Sequence, residues 1–305
     1  MVDILLATYN GEAYLRAQVD SLFAQTEQDF QILARDDGSS DATPDILEEY
    51  ARSAPERFKV IRDGEPAGSA KGNFFRLLKH SQADYVMFCD QDDIWLPDKV
   101  MLTLFTMKGA QSDLGNGPML AHSDLTVVDD AGSVIHPSLF AMQKLGAERL
   151  YFNQLLPQNN ITGCTVMINR ALADIVRESD GALMHDWWLG LAASAFGRII
   201  VAPNRIHYRQ HRANEVGAKD VKSASYLKGK LSDTGGIRES ILATYAQAKA
   251  FLEAYPDMLT MEQKKLIDAF GSLHERCMFS RMRLLSKYKL YKSGLYRKIG
   301  QIIYG

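Results

Sequence analysis

The chain has 305 residues, 46% hydrophobic and 24% charged, with a formal net charge of −2. That length suits one large α/β domain or two smaller ones, and that charge excludes a nucleic-acid binder on electrostatic grounds. Three scattered cysteines, Cys89, Cys164 and Cys277, form no disulfide framework or zinc spacing and predict a reducing compartment. The amino terminus carries no basic n-region, so no signal peptide is predicted, and no apolar run is long enough to span a bilayer.

The first predicted strand is the apolar run Val2 to Ala7, ended by Thr8-Tyr9-Asn10-Gly11 with its Asn-Gly turn. A helix follows, with Tyr14, Leu15, Val19, Leu22 and Phe23 on one face. Phe30 to Ala34 is the second strand, and its loop is Asp36-Asp37-Gly38-Ser39-Ser40-Asp41. A helix from about Pro44 to Ala54, a strand Phe58 to Ile61, a loop Gly64 to Gly72 and a helix Asn73 to His80 come next. Tyr85 to Cys89 is the fourth strand, followed by Asp90-Gln91-Asp92-Asp93-Ile94-Trp95 and a helix opened by Pro97-Asp98.

Strands alternating with helices imply parallel pairing and right-handed crossovers. Each polar cluster then falls at the carboxyl end of its strand, where open α/β sheets bind ligands. Three carboxylates so close repel one another unless a cation lies between them. Mg²⁺ joins carboxylates to substrate phosphates, so Asp90, Asp92 and Asp93 read as a metal–diphosphate site; taken singly, they also suit a solvated turn capping a helix. No G-x-G-x-x-G follows the first strand and no G-x-x-x-x-G-K-S/T occurs, which disfavours a dinucleotide-binding domain and a P-loop enzyme.

Beyond Lys108, strands are predicted over Pro118 to His122, Leu125 to Val128, Ile161 to Ile168, Arg198 to Val201 and from Ile206. Gly132 to Gln158 is poorly periodic and reads as a substrate-facing insertion. Helices are predicted over Asn169 to Arg177 and from His185-Asp186-Trp187-Trp188 to about Phe196. From Lys219 the chain turns helical and basic. Residues 271–305 hold eight Lys or Arg against Glu275 alone, about +7, interleaved with apolar side chains. Such a segment either lies on an anionic membrane or packs its apolar side on the domain.

The motifs ATYNG (Ala7–Gly11), ARDDGSSD (Ala34–Asp41), DQDDIW (Asp90–Trp95), HDWW (His185–Trp188) and YRQHRAN (Tyr208–Asn214) stand in one order over about 215 residues. Together they resemble the family 2 inverting glycosyltransferases of GT-A fold, most of all the rhamnosyltransferase-like enzymes of bacterial surface polysaccharide. The resemblance implies an α/β, Rossmann-like, mostly parallel sheet flanked by helices, with a catalytic domain over 1–218 and a helical, basic region over 219–305.

It further implies transfer of rhamnose, glucose or galactose from a dTDP- or UDP-sugar to a glycan or undecaprenyl-linked acceptor, in O-antigen or capsule synthesis. Thr8, Tyr9, Asn10, Asp36, Asp37, Lys71, Asn73, Asp90 and Gln91 would hold the nucleotide sugar, with Asp37 accepting from a pyrimidine imide. Asp92 and His211 would hold Mg²⁺ or Mn²⁺. Asp186 would be the general base; many relatives carry Glu-Asp where this chain has His185-Asp186. Trp95, Trp187, Trp188, Arg209 and Arg212 are acceptor or phosphate candidates. A cytoplasmic enzyme, peripheral at the inner membrane face, is expected. A sugar nucleotidyltransferase, or a nucleotide-binding module without transfer activity, is the competing reading; the nucleotidyltransferase would want a basic glycine-rich first loop, which Thr8 to Gly11 is not.

Overall fold

The computed structural model describes residues 1–203, 205–211 and 234–305. The chain divides into two compact units: 1–138 with 161–176 and 198–217, and 139–160 with 177–197 and 218–305.

Among the described residues, the first unit carries both sheets. Its strands are β1 (Val2–Thr8), β2 (Phe30–Asp36), β3 (Phe58–Val60), β4 (Tyr85–Asp90), β5 (Ile94–Trp95), β6 (Met119–His122), β7 (Thr126–Val128), β8 (Val134–His136), β9 (Met167–Asn169), β10 (Arg198–Val201) and β11 (Ile206–Arg209). Its helices are α1 (Leu15–Phe23), α2 (Thr43–Ser53), α3 (Ala70–His80), α4 (Lys99–Leu114) and α7 (Arg170–Ala173). Seven strands form the main sheet in the order β10-β6-β9-β4-β1-β2-β3, and β5-β11-β7-β8 form a second.

All seven residues of β1 are buried, as a parallel strand covered on both faces requires. Asp3 is tolerated there because Gln31 Nε2 and Ser81 Oγ donate to its two oxygens at 2.7 and 2.6 Å. The expected parallel pairing holds for β1 with β2 and β4, and for β2 with β3.

Around β9 the structure departs from expectation. The run Ile161 to Ile168 is not one strand. A 3₁₀ turn occupies Gly163–Thr165, and the strand is only Met167–Asn169. It runs antiparallel to both neighbours, β4 and β6. The helix expected after it stops at Ala173. The apolar run is buried in both arrangements, so its composition could not separate a strand from a buried turn.

The described part of the second unit is helical: α5 (Leu139–Gln143), α6 (Phe152–Leu155), α8 (His185–Phe196), α9 (Thr234–Ala254), α10 (Met261–Gly271), α11 (Met278–Lys287) and α12 (Leu295–Tyr304). Its core is aromatic. Trp188 meets Phe251 edge-on at 5.2 Å between ring centroids, and Phe251 lies 4.7 Å from Tyr255. Thr260 and Gln263 form a reciprocal capping box that starts α10.

Each unit buries one histidine whose charged form is disfavoured. Burial holds His122 down to about 4 and His185 down to about 3. Both values lie below the unfolded value of 6.5, so the unfolded chain takes up the extra protons as pH falls. Their contribution is intact above pH 6.5 and shrinks below it, by about 1.4 kcal/mol per pH unit for each ring. His185→Gln should therefore lose stability less steeply than the wild type between pH 6.5 and 4 in denaturant titrations. Parallel profiles of the two proteins would reject this.

Candidate functional site

The first unit gathers its polar loops on one rim. Thr8 stands opposite Asp36, and Ala7 opposite Asp90, so β1, β2 and β4 end at one level. Ala121 and Met87 both face Met167, which brings His122-Ser123-Asp124 to the same rim after β6. Those three residues were missed in the sequence, although they show the same signal, a polar cluster closing an apolar run.

Several expected ligand contacts are instead spent on shaping the rim. Thr8 Oγ1 and Ser39 Oγ donate to Asp36 Oδ1 at 3.0 and 2.5 Å, and the Gly38 and Ser39 amides donate to Asp36 Oδ2 at 3.1 and 2.8 Å. Asp36 thus builds its own loop. Asn73 is buried; its Oδ1 accepts from Arg35 Nη1 at 3.1 Å, and its amide donates to the Arg35 carbonyl. It ties α3 to β2 rather than facing a donor sugar. Gln91 clasps the backbone of Tyr9, accepting from its N–H at 2.8 Å and donating to its carbonyl at 2.9 Å. A Cβ at Gly11 would lie 2.2 Å from Gln91 Oε1, so this clasp needs glycine there. Asn10 takes a left-handed φ of 48°, and its Oδ1 accepts from the Ser40 amide.

Of the remaining donor-site candidates, Tyr9 reaches solvent and Asp37 is buried at 7% exposure. The Tyr9 ring is 59% exposed. Asp37 Oδ1 is held by Arg35 Nη1 at 3.0 Å and by the Ala67 amide, which orients the carboxylate. Lys71 lies half-buried in the first turn of α3.

Asp92 Oδ2 and His211 Nε2 approach to 2.8 Å. The His211 ring stacks on the Tyr14 ring at 4.5 Å, and the Arg209 guanidinium lies over the Tyr14 ring at 5.1 Å. Tyr14 donates to Asp130 at 3.0 Å. Tyr14, grouped in sequence with one face of the first helix, is its N-cap residue and fixes the imidazole. Arg209 is buried and donates through Nε to the Asp92 carbonyl at 3.1 Å and through Nη1 to that of Asp130. It positions the acidic loop. Arg212 lies outside the described residues.

The donor set fits a hard divalent cation. Adjacent ligands of an octahedral ion at about 2.1 Å stand about 3 Å apart, close to the Asp92–His211 separation. Behind them Asp90, Asp93 and Cys164 bring ligand atoms within 4.8 Å of one another. A thiol suits softer metals, and Cys164 shares a hydrogen bond with Asp93. Burial, then the Asp92 and Asp90 carboxylates, pushes the Asp93 carboxyl well above the usual range. Burial likewise lowers Lys99 to about 8 beneath this loop, where its ammonium lies 4.6 Å from the Trp95 ring.

In the second unit Asp186 lies in the first turn of α8, 8% exposed, and the N-cap is Met184. Asp186 Oδ1 accepts from the Trp187 amide at 2.5 Å and from Asn159 Nδ2 at 3.1 Å. Two of the acceptor or phosphate candidates are core residues. Trp188 is 0% exposed and Trp95 is 2% exposed, so neither offers a ring face to a sugar. Their indoles are core because each helix or strand has its buried side there. Trp187 is half-buried, with its indole N–H donating to the Leu155 carbonyl at 2.7 Å.

A mostly parallel sheet with acidic loops on its carboxyl rim, joined to further helices, is the architecture of a GT-A glycosyltransferase. The sequence profile described as "Glycosyl transferase family 2" matches residues 3–174, and the chain belongs to that family. The dTDP-rhamnosyl transferase RfbG of Shigella flexneri is 30% identical over 239 residues, 73% of this chain and 77% of that protein. Among solved structures, S. aureus TarS 1–349 in complex with UDP-GlcNAc superposes with a TM-score of 0.58 at 16% identity, over 94% of this chain and 80% of that one. The mannosyltransferase PcManGT from Pyrobaculum calidifontis, in complex with GDP-Man and Mn²⁺, gives 0.54 at 14% identity, over 97% and 76%. At those identities the structures show the fold alone.

Proposed function

We propose that this glycosyltransferase moves rhamnose, or glucose or galactose, from a dTDP- or UDP-sugar to a glycan or undecaprenyl-linked acceptor of bacterial surface polysaccharide, inverting the anomeric centre. The observation that carries the proposal is the Asp92–His211 pair at 2.8 Å on the rim that also presents Asp37 and Tyr9. The RfbG name supports the rhamnosyl donor, and the TarS and PcManGT complexes support a nucleotide-sugar ligand. Asp92 and His211 would hold Mg²⁺ or Mn²⁺, with Asp90 and Lys71 near the diphosphate. The cation would offset charge on the departing nucleoside diphosphate.

The chain's own residues supply the rest. Tyr9 offers a ring face for the base, and Asp37 accepts from its imide N–H. Asp186 takes the proton of the attacking acceptor hydroxyl. The place of work is the cytoplasm, with peripheral contact at the inner membrane face. Among the described residues no helix is long and apolar enough to cross a membrane.

Product analysis tests the reaction. Release of nucleoside diphosphate with a glycosylated acceptor is expected; release of pyrophosphate would establish nucleotidyl transfer instead. Asp37→Ala should weaken UDP or dTDP binding by about 1–3 kcal/mol, the cost of leaving a buried donor unpaired. Asp37 also holds buried Arg35, so the melting temperature should be read alongside the Kd. A lower melting temperature with an unchanged Kd would assign Asp37 to the loop alone.

A further inference from the structure

We propose that the outward faces of α11 and α12 dock this enzyme on an anionic lipid bilayer. The proposal deepens the membrane part of the function above and is independent of the donor site.

A surface helix of a globular unit normally turns its apolar stripe inward. α12 does the reverse. Leu295, Ile299 and Ile303 succeed one another at every fourth residue, so they share one face. They are 68%, 44% and 54% exposed, and Tyr296 beside them is 67% exposed. Gln301, on the opposite side at 100° per residue, is 1% exposed. Its side-chain N–H donates to the Leu290 carbonyl at 2.9 Å, and its Oε1 accepts from the Lys292 amide at 3.0 Å. Arg281 of α11, also buried, donates to the Ile302 carbonyl at 2.7 Å. α12 is thus anchored by its polar side, and its apolar side is the one left out. α11 adds Met278, Phe279 and Met282, which are 58%, 79% and 41% exposed.

An exposed apolar face of this density marks an interaction surface. Charge identifies the partner. Arg276, Arg283, Lys287, Lys289 and Lys298 are exposed around it, and Glu275 is the one acid in residues 271–305. Lys and Arg beside an aliphatic and aromatic face describe an interfacial helix, whose apolar side enters the acyl boundary while its cations meet anionic headgroups. A second copy of this chain would bring two segments of about +7 together and is disfavoured by their repulsion.

The test is co-sedimentation of the full chain with phosphatidylcholine vesicles, with and without about one third phosphatidylglycerol. Binding should require the anionic lipid and weaken as salt rises. Ile299→Glu combined with Ile303→Glu should lower the partition coefficient at least about tenfold. Lys287→Glu combined with Lys298→Glu should do the same by charge, which guards against one variant failing to fold. Both should keep the wild-type melting temperature and nucleoside diphosphate release with a soluble acceptor. Cys277 is the exposed cysteine while Cys89 and Cys164 are buried, so an environment-sensitive dye placed there should shift to the blue on binding. No binding, equal binding to neutral vesicles, or unchanged partition of either variant would overturn the proposal. So would a lipid-free dimer that the isoleucine variant dissolves.

Discussion

Asp186→Asn is expected to reduce turnover by roughly 10²–10⁴-fold while leaving donor affinity almost unchanged. The substitution keeps the size of the side chain and an oxygen to accept from Asn159, and it removes the ability to take a proton. A merely structural role predicts otherwise. Met184 is the N-cap of α8, and the bond that Asp186 Oδ1 accepts from the first-turn Trp187 amide is one an asparagine oxygen can keep. What an ionised Asp186 gains from the helix dipole in the first turn is about 0.3–1 kcal/mol. That sum is far too small to appear as a hundredfold change in kcat. Measuring kcat together with donor Kd separates the two roles. A kcat within a few-fold of wild type would end the assignment of Asp186 as the base.

Asp92→Ala is expected to abolish cation-dependent binding of the nucleoside diphosphate and to lower kcat/KM by more than about 100-fold. Groups that only orient metal ligands cost 10–100-fold when removed, and a direct ligand should cost more. The fold should survive, because the loop is also held by Arg209, whose Nε donates to the Asp92 backbone carbonyl rather than to its carboxylate. His211→Ala should behave similarly, since its Nε2 faces the same oxygen of Asp92. Calorimetric titration of UDP or dTDP with and without Mn²⁺ reads the effect directly. Full wild-type activity in excess EDTA would remove the cation, and with it this role of Asp92.

The amino-acid order by itself determined the β1 to β4 half of the main sheet and the rim it presents. Alternating apolar runs and helical periodicities fix parallel pairing there, and parallel strands of similar length end together, so Thr8, Asp36 and Asp90 meet. The motif order also carried the family, which residues 3–174 bear out.

Tertiary structure decided the rest, because burial and packing are properties of the neighbours a residue meets. Asp36 and Asp37 are adjacent and alike in sequence; only the loop shows that the first binds its own backbone while the second is held by Arg35. Trp95 and Trp188 stand among the acceptor or phosphate candidates in sequence, but the elements around them close over their rings. Tyr14 and His211 lie almost two hundred residues apart, and no local pattern could place them in a stack. Residues 139–160 and 177–197 group with the C-terminal helices although they interrupt the sheet unit in sequence. The helical, basic character of the tail was legible with its interleaved apolar residues, but not which side of α12 faces inward: only the buried Gln301 shows which face the protein kept for itself.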